Sequence, residues 1–302
     1  MVSLAVAAVA GACSPRPATT TSSGVPLAGP LIPAATTIVT AWDVPRNPTT
    51  DAALAKSPEG RNVQWGFRLF TNTPSEAKQF APGRMTCAHC HLNAGQRERA
   101  LPLVAVASVF PEQNVRAGRL YTLNDRIVDC FLRSENATGA GGNHLPQTTS
   151  KEVEAIAAYV TWLGRGVKTE NNPPWRGQNT IPASAVVPVD ALDPRKGEAI
   201  YTERCVSCHG ADGQGVALGN KKAGPLWGAD SWNDGAGAAR VYTLAGIIKH
   251  TMPFLDPGSL TDEEAQDVAA FINSKPRPSY PLKDRDYRNG RIPADAVYYR
   301  RR

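Results

Sequence analysis

The chain has 302 residues, which suits about two domains of ordinary size, and 42% of them are hydrophobic, enough to bury sizeable cores. Its formal net charge is +6, but the basic residues are scattered and no nucleic-acid recognition motif accompanies them, so we expect no nucleic-acid partner. The positive excess instead favours attraction of a small anion.

The chain begins with an export segment and a tether. An apolar run ends in "AGAC" at Cys13 and is shorter than the roughly 20 apolar residues that span a bilayer, which indicates a secretory signal. This ending resembles a bacterial lipoprotein box, so we favour a lipid anchor at Cys13 over a signal in which Cys13 is discarded or unused. We predict an export segment over residues 1–17, a flexible tether over residues 18–50, and a mature protein in the periplasm or at the cell surface.

Two segments with the same internal order follow the tether. Each begins with an amphipathic stretch, carries Cys-x-x-Cys-His, continues through a long loop and ends with a helix. A capping-box pattern precedes each terminal helix, with Thr149 and Glu152 in the first and Thr261 and Glu264 in the second. We predict a first domain over residues 51–170, an extended Pro-rich linker over 171–194, a second domain over 195–278, and a basic tail over 279–302 that is solvated by default.

The apolar spacing of the two terminal helices predicts one buried face on each helix. These faces carry Ile156, Tyr159, Val160 and Leu163 in the first domain, and Val268, Phe271 and Ile272 in the second. No sustained alternation of apolar and polar residues occurs, so we expect few strands. The sequence therefore predicts an all-α fold.

The repeated motif is "CAHCH" at residues 87–91 and "CVSCH" at residues 205–209, the pattern that attaches c-type haem. Two thiols on one helical turn reach the vinyl groups of one porphyrin, and the adjacent histidine supplies a nitrogen to the iron. A redox-active pair needs no following histidine, and a zinc site needs four ligands in one place, so both alternatives fit less well.

We therefore predict two covalently bound haem c groups, haem 1 and haem 2, in two class I cytochrome c-like domains in tandem. The attachment cysteines and proximal histidines are Cys87, Cys90 and His91 for haem 1, and Cys205, Cys208 and His209 for haem 2. His89, in the spacer of the first motif, is expected to be a surface residue rather than a ligand.

The sixth ligand of haem 2 is predicted to be Met252. It precedes a proline just ahead of the second terminal helix, where a class I cytochrome c carries its methionine. Histidine and methionine together raise the reduction potential and suit electron transfer. The alternatives are that Met252 only packs in the core, or that Lys221, Lys222 or His250 ligates the iron.

The first domain has no usable methionine, so the sixth ligand of haem 1 is Cys130, His144 or none. His144 lies shortly before the terminal helix, where a distal ligand is expected. Cys130 stands alone in "DRIVDCFLRS" and would supply a thiolate. Its other possible states are an inert buried thiol or a disulfide with Cys13, which a flexible tether disfavours and lipidation excludes.

The block "DRIVDCFLRSEN", with "GPLWG", "SWNDGAGAAR" and "GIIKHTMPF" in the second domain, resembles the di-haem thiosulfate dehydrogenases. These periplasmic c-type cytochromes join two thiosulfates into tetrathionate, and some members favour the reverse reaction. The similarity covers residues 61–278 and implies Cys130 as sixth ligand of the active-site haem, with Arg116, Arg126 and Ser134 around it. "ENATGAGGN" after Ser134 is longer and richer in glycine than the family pattern, which leaves the pocket shape open.

The resemblance implies a mechanism in which each of these groups has a role. Arg116 and Arg126 offset the repulsion between two thiosulfate dianions, and Ser134 donates one more hydrogen bond. We expect Cys130 to form a covalent adduct with one thiosulfate, which the second thiosulfate attacks. Electrons then pass from haem 1 through haem 2 to an external acceptor, such as a small cytochrome c or a membrane redox protein.

Three alternatives remain at this point. Either arginine alone equally suits a solvated role or binding of a haem propionate. The whole chain could be a plain di-haem electron carrier, with His91 and His144 as the ligands of haem 1. It could also be a sulfur-oxidation cytochrome subunit that acts with a partner chain.

Overall fold

Helices dominate the computed structural model, which describes residues 31–35, 38, 40–137, 145–167, 172–219 and 221–299. The helices are α1 (Pro58–Thr71), α2 (Thr73–Glu76), α3 (Cys87–Cys90), α4 (Leu92–Gly95), α5 (Leu123–Arg133), α6 (Lys151–Leu163), α7 (Pro194–Arg204), α8 (Val206–His209), α9 (Val241–Thr251) and α10 (Asp262–Ser274). Two short antiparallel ladders pair β1 (Glu112–Asn114) with β2 (Arg119–Tyr121), and β3 (Ala217–Leu218) with β4 (Lys221–Lys222). Few strands were expected, and few are found in this described part.

The first domain is built on the crossing of α1 with α6. Ser57 caps α1 by accepting a hydrogen bond from the Gly60 amide. The helices cross at Gly66, where an added Cβ atom would lie 1.9 Å from the carbonyl oxygen of Ala155. The predicted face of α6 is buried in the resulting core, together with Leu69 and Phe70 of α1.

The second domain repeats this arrangement with α7 and α10. A Cβ atom added at Gly197 would lie 2.1 Å from the carbonyl oxygen of Asp267. The predicted capping box of α10 is present: Thr261 Oγ1 accepts from the Glu264 amide at 3.1 Å, and Glu264 accepts from the Thr261 amide at 2.7 Å. The predicted apolar face of α10 is buried.

The capping box predicted for α6 is wrong. The helix begins at Lys151 with Ser150 as its N-cap, and no side-chain hydrogen bond caps it. Glu152 is buried, and its carboxylate accepts a hydrogen bond from Gln79 Nε2 at 3.2 Å. The Glu152 carboxylate, predicted to cap the helix with Thr149, is instead bonded to Gln79 in the packing of the domain.

The two domains pack directly against each other. Met85, from the first domain, is buried in the core of the second. Arg84 Nε lies 2.8 Å from Asp230 Oδ2, and Arg84 Nη2 donates to Gln214 Oε1 at 2.6 Å. The loop before the first haem motif is thus fixed on the second domain.

Parts of the tether, the linker and the basic tail are packed on the domains. Ile32 and Ala41 of the tether are buried against the first domain, and Trp175 of the linker donates from Nε1 to the Val104 carbonyl at 2.9 Å. The expectation of a solvated tail is wrong over residues 279–299, here called the C-terminal segment, because Asp286 and Asp295 are buried in ion pairs. Isolated apolar and acidic residues in polar stretches anchor these segments. Among the described helices, none has both the length and the apolar character to cross a bilayer.

Candidate haem and substrate sites

The first Cys-x-x-Cys-His motif forms one turn of helix and a fixed imidazole. Cys87 and Cys90 are half-buried free thiols at the two ends of α3, and burial raises the pKa of Cys90 to about 12. His91 Nδ1 is 2.6 Å from the carbonyl oxygen of Leu101. Burial lowers the pKa of His91 to about 4, so the ring is neutral and its other nitrogen is available to a metal.

The second motif also forms one turn of helix, α8, with Cys205 as its N-cap. Cys205 and Cys208 are half-buried free thiols, and burial raises the pKa of Cys205 to about 11. Burial lowers the pKa of His209 to about 4, and its Nδ1 is buried without a hydrogen-bond partner among the described residues. Met252 is half-buried at the end of α9 and packs against the core of this domain.

Buried donors without partners test whether both domains fit a haem. In the first domain, Arg97 is fully buried, and its Nε and Nη1 have no hydrogen-bond partner among the residues that the structure describes. In the second, Trp232 Nε1 and Arg277 Nη1 are buried and have no partner in the described part of the chain. Such groups would be costly if left unsatisfied, whereas the carboxylates of a haem would accept from them. With the free thiol pairs and neutral imidazoles, they form a donor set that fits one haem in each domain.

His89 does not lie on the free surface that the sequence predicted. Its Nδ1 accepts a hydrogen bond from the Thr86 amide at 3.0 Å, and a Cβ atom added at Gly224 of the second domain would lie 2.7 Å from its ring. Burial lowers the pKa of His89 to about 4, and His209 of the second motif lowers it further. The packing of the domains therefore brings the two haem motifs next to each other.

Cys130 lies on α5, whose start is fixed by a reciprocal cap between Thr122 and Asp125. Arg126, Cys130 and Ser134 are four residues apart, so they follow one face of the helix as it ends. Burial raises the pKa of the Cys130 thiol, and Arg126 is the strongest group that opposes this rise. In turn, Cys130 is the largest cause of the raised pKa of Arg126.

The other predicted substrate residues lie around this helix. Arg116 is in the turn between β1 and β2, donates from Nη1 to the carbonyl of Gly235, and has its guanidinium carbon 5.6 Å from the ring centre of Tyr287. Ser134 is the C-cap of α5, and its amide donates to the carbonyl of Cys130 at 2.7 Å. Arg126, Cys130 and Ser134 therefore lie together along α5 and its C-cap. Arg116, in the preceding hairpin, is held by contacts with Gly235 of the second domain and Tyr287 of the C-terminal segment.

Sequence reasoning missed two buried charged groups beside Cys130. Arg133 is 5% exposed, and its Nε lies 2.6 Å from Asp129 Oδ1. Glu135 is 3% exposed, its Oε2 has no hydrogen-bond partner among the described residues, and burial raises its pKa to about 8. The spacing of four between Asp129 and Arg133 was a readable signal for an ion pair. Nothing local signals the burial of Glu135.

The alternative iron ligands are placed as follows. Both ring nitrogens of His250 are engaged, Nδ1 with Arg99 at 3.3 Å and Nε2 with the Thr180 carbonyl at 3.1 Å. Lys221 and Lys222 are exposed on β4. His144, and Cys13 as a disulfide partner or lipid anchor, lie outside the described residues. Among the described side chains, no group of three or more His, Cys, Asp and Glu could hold a metal ion alone.

Two family models match the chain, one in each domain. Residues 77–169 match the family model "SoxA/TsdA, cytochrome c domain", and residues 192–272 match "Cytochrome C oxidase, cbb3-type, subunit III". The predicted all-α fold with two cytochrome c domains in tandem is thereby confirmed, and such domains imply covalently bound haem c.

Full-length relatives extend the similarity across both domains. The chain is 36% identical over 268 residues to the thiosulfate dehydrogenase of Allochromatium vinosum, covering 84% of this chain and 94% of that one. It is 35% identical over 235 residues to the thiosulfate dehydrogenase of Stutzerimonas stutzeri, covering 78% and 73%. A solved thiosulfate dehydrogenase (TsdBA) from Marichromatium purpuratum superposes with a TM-score of 0.69 at 36% identity over 77% of this chain. Our chain spans half the length of that structure's chain.

Proposed function

Because this chain belongs to the thiosulfate dehydrogenase family, we propose that it oxidises two thiosulfate ions to one tetrathionate and delivers two electrons to an external acceptor. The observation that carries the proposal is the spacing of four residues between Arg126 and Cys130 on α5, which puts a guanidinium and a thiol on one face of that helix. A cation and a thiol together suit a dianion whose terminal sulfur must be oxidised.

We propose that two haem c groups are held by Cys87, Cys90 and His91 and by Cys205, Cys208 and His209, with Cys130 and Met252 as the sixth ligands. When bound, haem 1 would take up the electrons released at the substrate and pass them through haem 2 to the acceptor. The contact of His89 with the second domain supports this route, because it brings the two attachment motifs together.

The positive side chains of the site bind the substrate in this mechanism. Thiosulfate carries two negative charges, and a second ion must approach the first. Arg126 supplies a guanidinium beside Cys130, while Arg116 and Ser134 add donors from the preceding hairpin and from the end of α5. Fork-shaped, charge-assisted hydrogen bonds from arginine lower the repulsion between the two anions.

Cys130 performs the covalent step. A bond forms between its sulfur and the terminal sulfur of one thiosulfate, and two electrons leave as the thiolate and the dianion become one singly charged adduct. The second thiosulfate attacks the bound terminal sulfur, so that tetrathionate departs and the Cys130 thiolate is restored. Atoms and charges balance in both steps. Each step is reversible in principle, so the same residues would also serve tetrathionate reduction.

The setting of the reaction is part of the proposal. The apolar N-terminal run and its "AGAC" ending support export to the periplasm or the cell surface, with a lipid anchor at Cys13. The acceptor would be a small cytochrome c or a membrane redox protein.

The decisive experiment incubates the purified haem-loaded chain alone with thiosulfate and ferricyanide. We expect one tetrathionate for every two ferricyanide ions reduced, and an electron paramagnetic resonance signal from a thiolate-ligated ferric haem. If the chain showed no turnover and both ferric haems had only nitrogen or thioether ligands, the protein would be an electron carrier and not an enzyme. Turnover that requires a second protein chain would indicate a subunit of a larger sulfur-oxidising system.

A further inference from the structure

The C-terminal segment reaches from the second domain to the helix that carries Cys130. Two contacts hold it on the second domain. Asp295 of the segment pairs with Arg240 at 2.7 Å, and the Tyr280 amide of the segment donates to Asp234 at 2.7 Å. Between these anchors, Asp286 is 8% exposed and is directed at the first domain. The segment thus joins the substrate helix to the second domain.

Asp286 makes a two-pronged ion pair with Arg133. Arg133 Nη1 lies 2.7 Å from Asp286 Oδ2, and Arg133 Nη2 lies 2.8 Å from Asp286 Oδ1. Tyr299 donates its hydroxyl to Asp286 Oδ2 at 2.5 Å, and the guanidinium carbon of Arg133 lies 4.2 Å from the ring centre of Tyr280. Three residues of the C-terminal segment therefore fix one arginine of α5, three positions after Cys130.

Asp129 connects this buried pair to the predicted substrate arginine. Its Oδ1 lies 2.6 Å from Arg133 Nε, and its Oδ2 lies 3.3 Å from Arg126 Nη1. Because Asp286 occupies the two terminal nitrogens of Arg133, Arg133 engages only one oxygen of Asp129. The other oxygen stays with Arg126. With a neutral group at position 286, Arg133 would be free to bond both oxygens of Asp129, and Arg126 would then lose its ion pair with Asp129.

The next residue of the segment holds the other predicted substrate arginine. The Tyr287 amide donates to the carbonyl of Arg116 at 3.0 Å, and the Tyr287 ring lies beside the Arg116 guanidinium. Gly235 joins the two arginines, since its carbonyl accepts from Arg116 Nη1 and from Arg133 Nη1, the latter at 3.0 Å. Two consecutive residues, 286 and 287, therefore support both elements that carry substrate arginines.

We propose that Asp286 is a positioning residue of the substrate site, which acts through Arg133 and Asp129 to orient Arg126 beside Cys130. The inference rests on the proposed function for the identity of the anion, but the position of α5 can be measured without turnover. The C-terminal segment is then a working part of the site in the first domain.

The test compares Asp286→Asn with Asp295→Asn in the haem-loaded full chain. Both change a buried aspartate of the C-terminal segment, but the Asp295 carboxylate bonds Arg240 and the Tyr242 amide of the second domain, whereas Asp286 bonds Arg133 of α5. We expect Asp286→Asn to raise the KM for thiosulfate about tenfold or more and to reduce the thiolate signal of ferric haem 1. Asp295→Asn weakens an anchor of the segment but keeps the charge that faces Arg133, so we expect a much smaller effect on both.

A second variant keeps the test decisive if Asp286→Asn does not fold. Tyr299→Phe removes only the hydroxyl on Asp286, and we expect a smaller rise in KM, about twofold, in the same direction. Equal effects of the 286 and 295 variants, or a wild-type KM and thiolate signal in Asp286→Asn, would overturn the proposal. If Asp286→Asn does not fold, a wild-type KM and thiolate signal in Tyr299→Phe would overturn it. If the wild-type chain oxidised no thiosulfate, the proposed function would fail, while the thiolate signal would still report on the position of α5.

Discussion

Nδ1 of His91 lies 2.6 Å from the carbonyl oxygen of Leu101, ten residues further along the chain. The intervening loop reaches this geometry with Arg99 and Leu101 in the left-handed region, at φ 60° and 52°. Non-glycine residues there cost of order 1 kcal/mol each, so the contact is maintained by the packing around it. The bond fixes the ring and directs its other nitrogen away from the loop, as a proximal haem ligand requires.

Removal of the Cys130 sulfur should abolish catalysis and spare the second haem. In Cys130→Gly, thiosulfate oxidation should fall by about a thousandfold or more, because the covalent step loses its nucleophile. The absorption spectrum of haem 2 should persist. Glycine weakens a helix by about 1 kcal/mol relative to alanine, so Cys130→Ala is the control for damage to α5 and should show the same loss. Wild-type turnover in the alanine variant would refute a covalent role.

Arg126 should matter for substrate binding more than its neighbour Arg119. Arg126→Gln should raise the KM for thiosulfate by about tenfold or more, since a charge-assisted partner of the dianion is lost. The variant should also need a higher pH for activity, because Arg126 opposes the burial that raises the pKa of Cys130. Arg119→Gln is the matched control: this arginine is 57% exposed and pairs with Asp125. Similar steady-state kinetics of the two variants would argue against a substrate role for Arg126.

Glycine at the helix crossings should be required for stability in both domains. Gly66→Ala and Gly197→Ala would each push a Cβ atom to about 2 Å from a backbone carbonyl oxygen. We expect each to lower the free energy of unfolding by about 2 kcal/mol or more, because the facing helix backbone must move. The control is Gly237→Ala, where an added Cβ meets nothing within 4 Å. Guanidinium unfolding of the haem-loaded chain measures all three, and a neutral Gly66→Ala would contradict the close crossing.

Local patterns predicted the helices and haem motifs, but they could not predict the long-range contacts around Cys130 and between the two domains. The cap of α10 and the buried face of α6 follow from residues within one or two turns, so the sequence shows them. Arg133 and Asp286 are 153 positions apart, and their pairing depends on how the second domain carries the C-terminal segment back to α5. The burial of His89 likewise depends on the domain interface. Packing between residues far apart in the sequence determines both the Arg133–Asp286 pair and the burial of His89.

Glu135 should make the free energy of unfolding fall as the pH rises, and Glu135→Gln should remove this dependence. Burial raises its pKa from an ordinary 4.5 to about 8, so the folded chain binds one more proton than the unfolded chain between these values. Stability contributed by the protonated acid is therefore lost as the pH rises from about 5 to about 8. Glu135→Gln should flatten this decline in guanidinium unfolding of the haem-loaded chain. Glu203→Gln, at an exposed position on α7, should keep the wild-type decline. Parallel pH profiles for wild type and Glu135→Gln would show that Glu135 does not hold a proton in the folded protein.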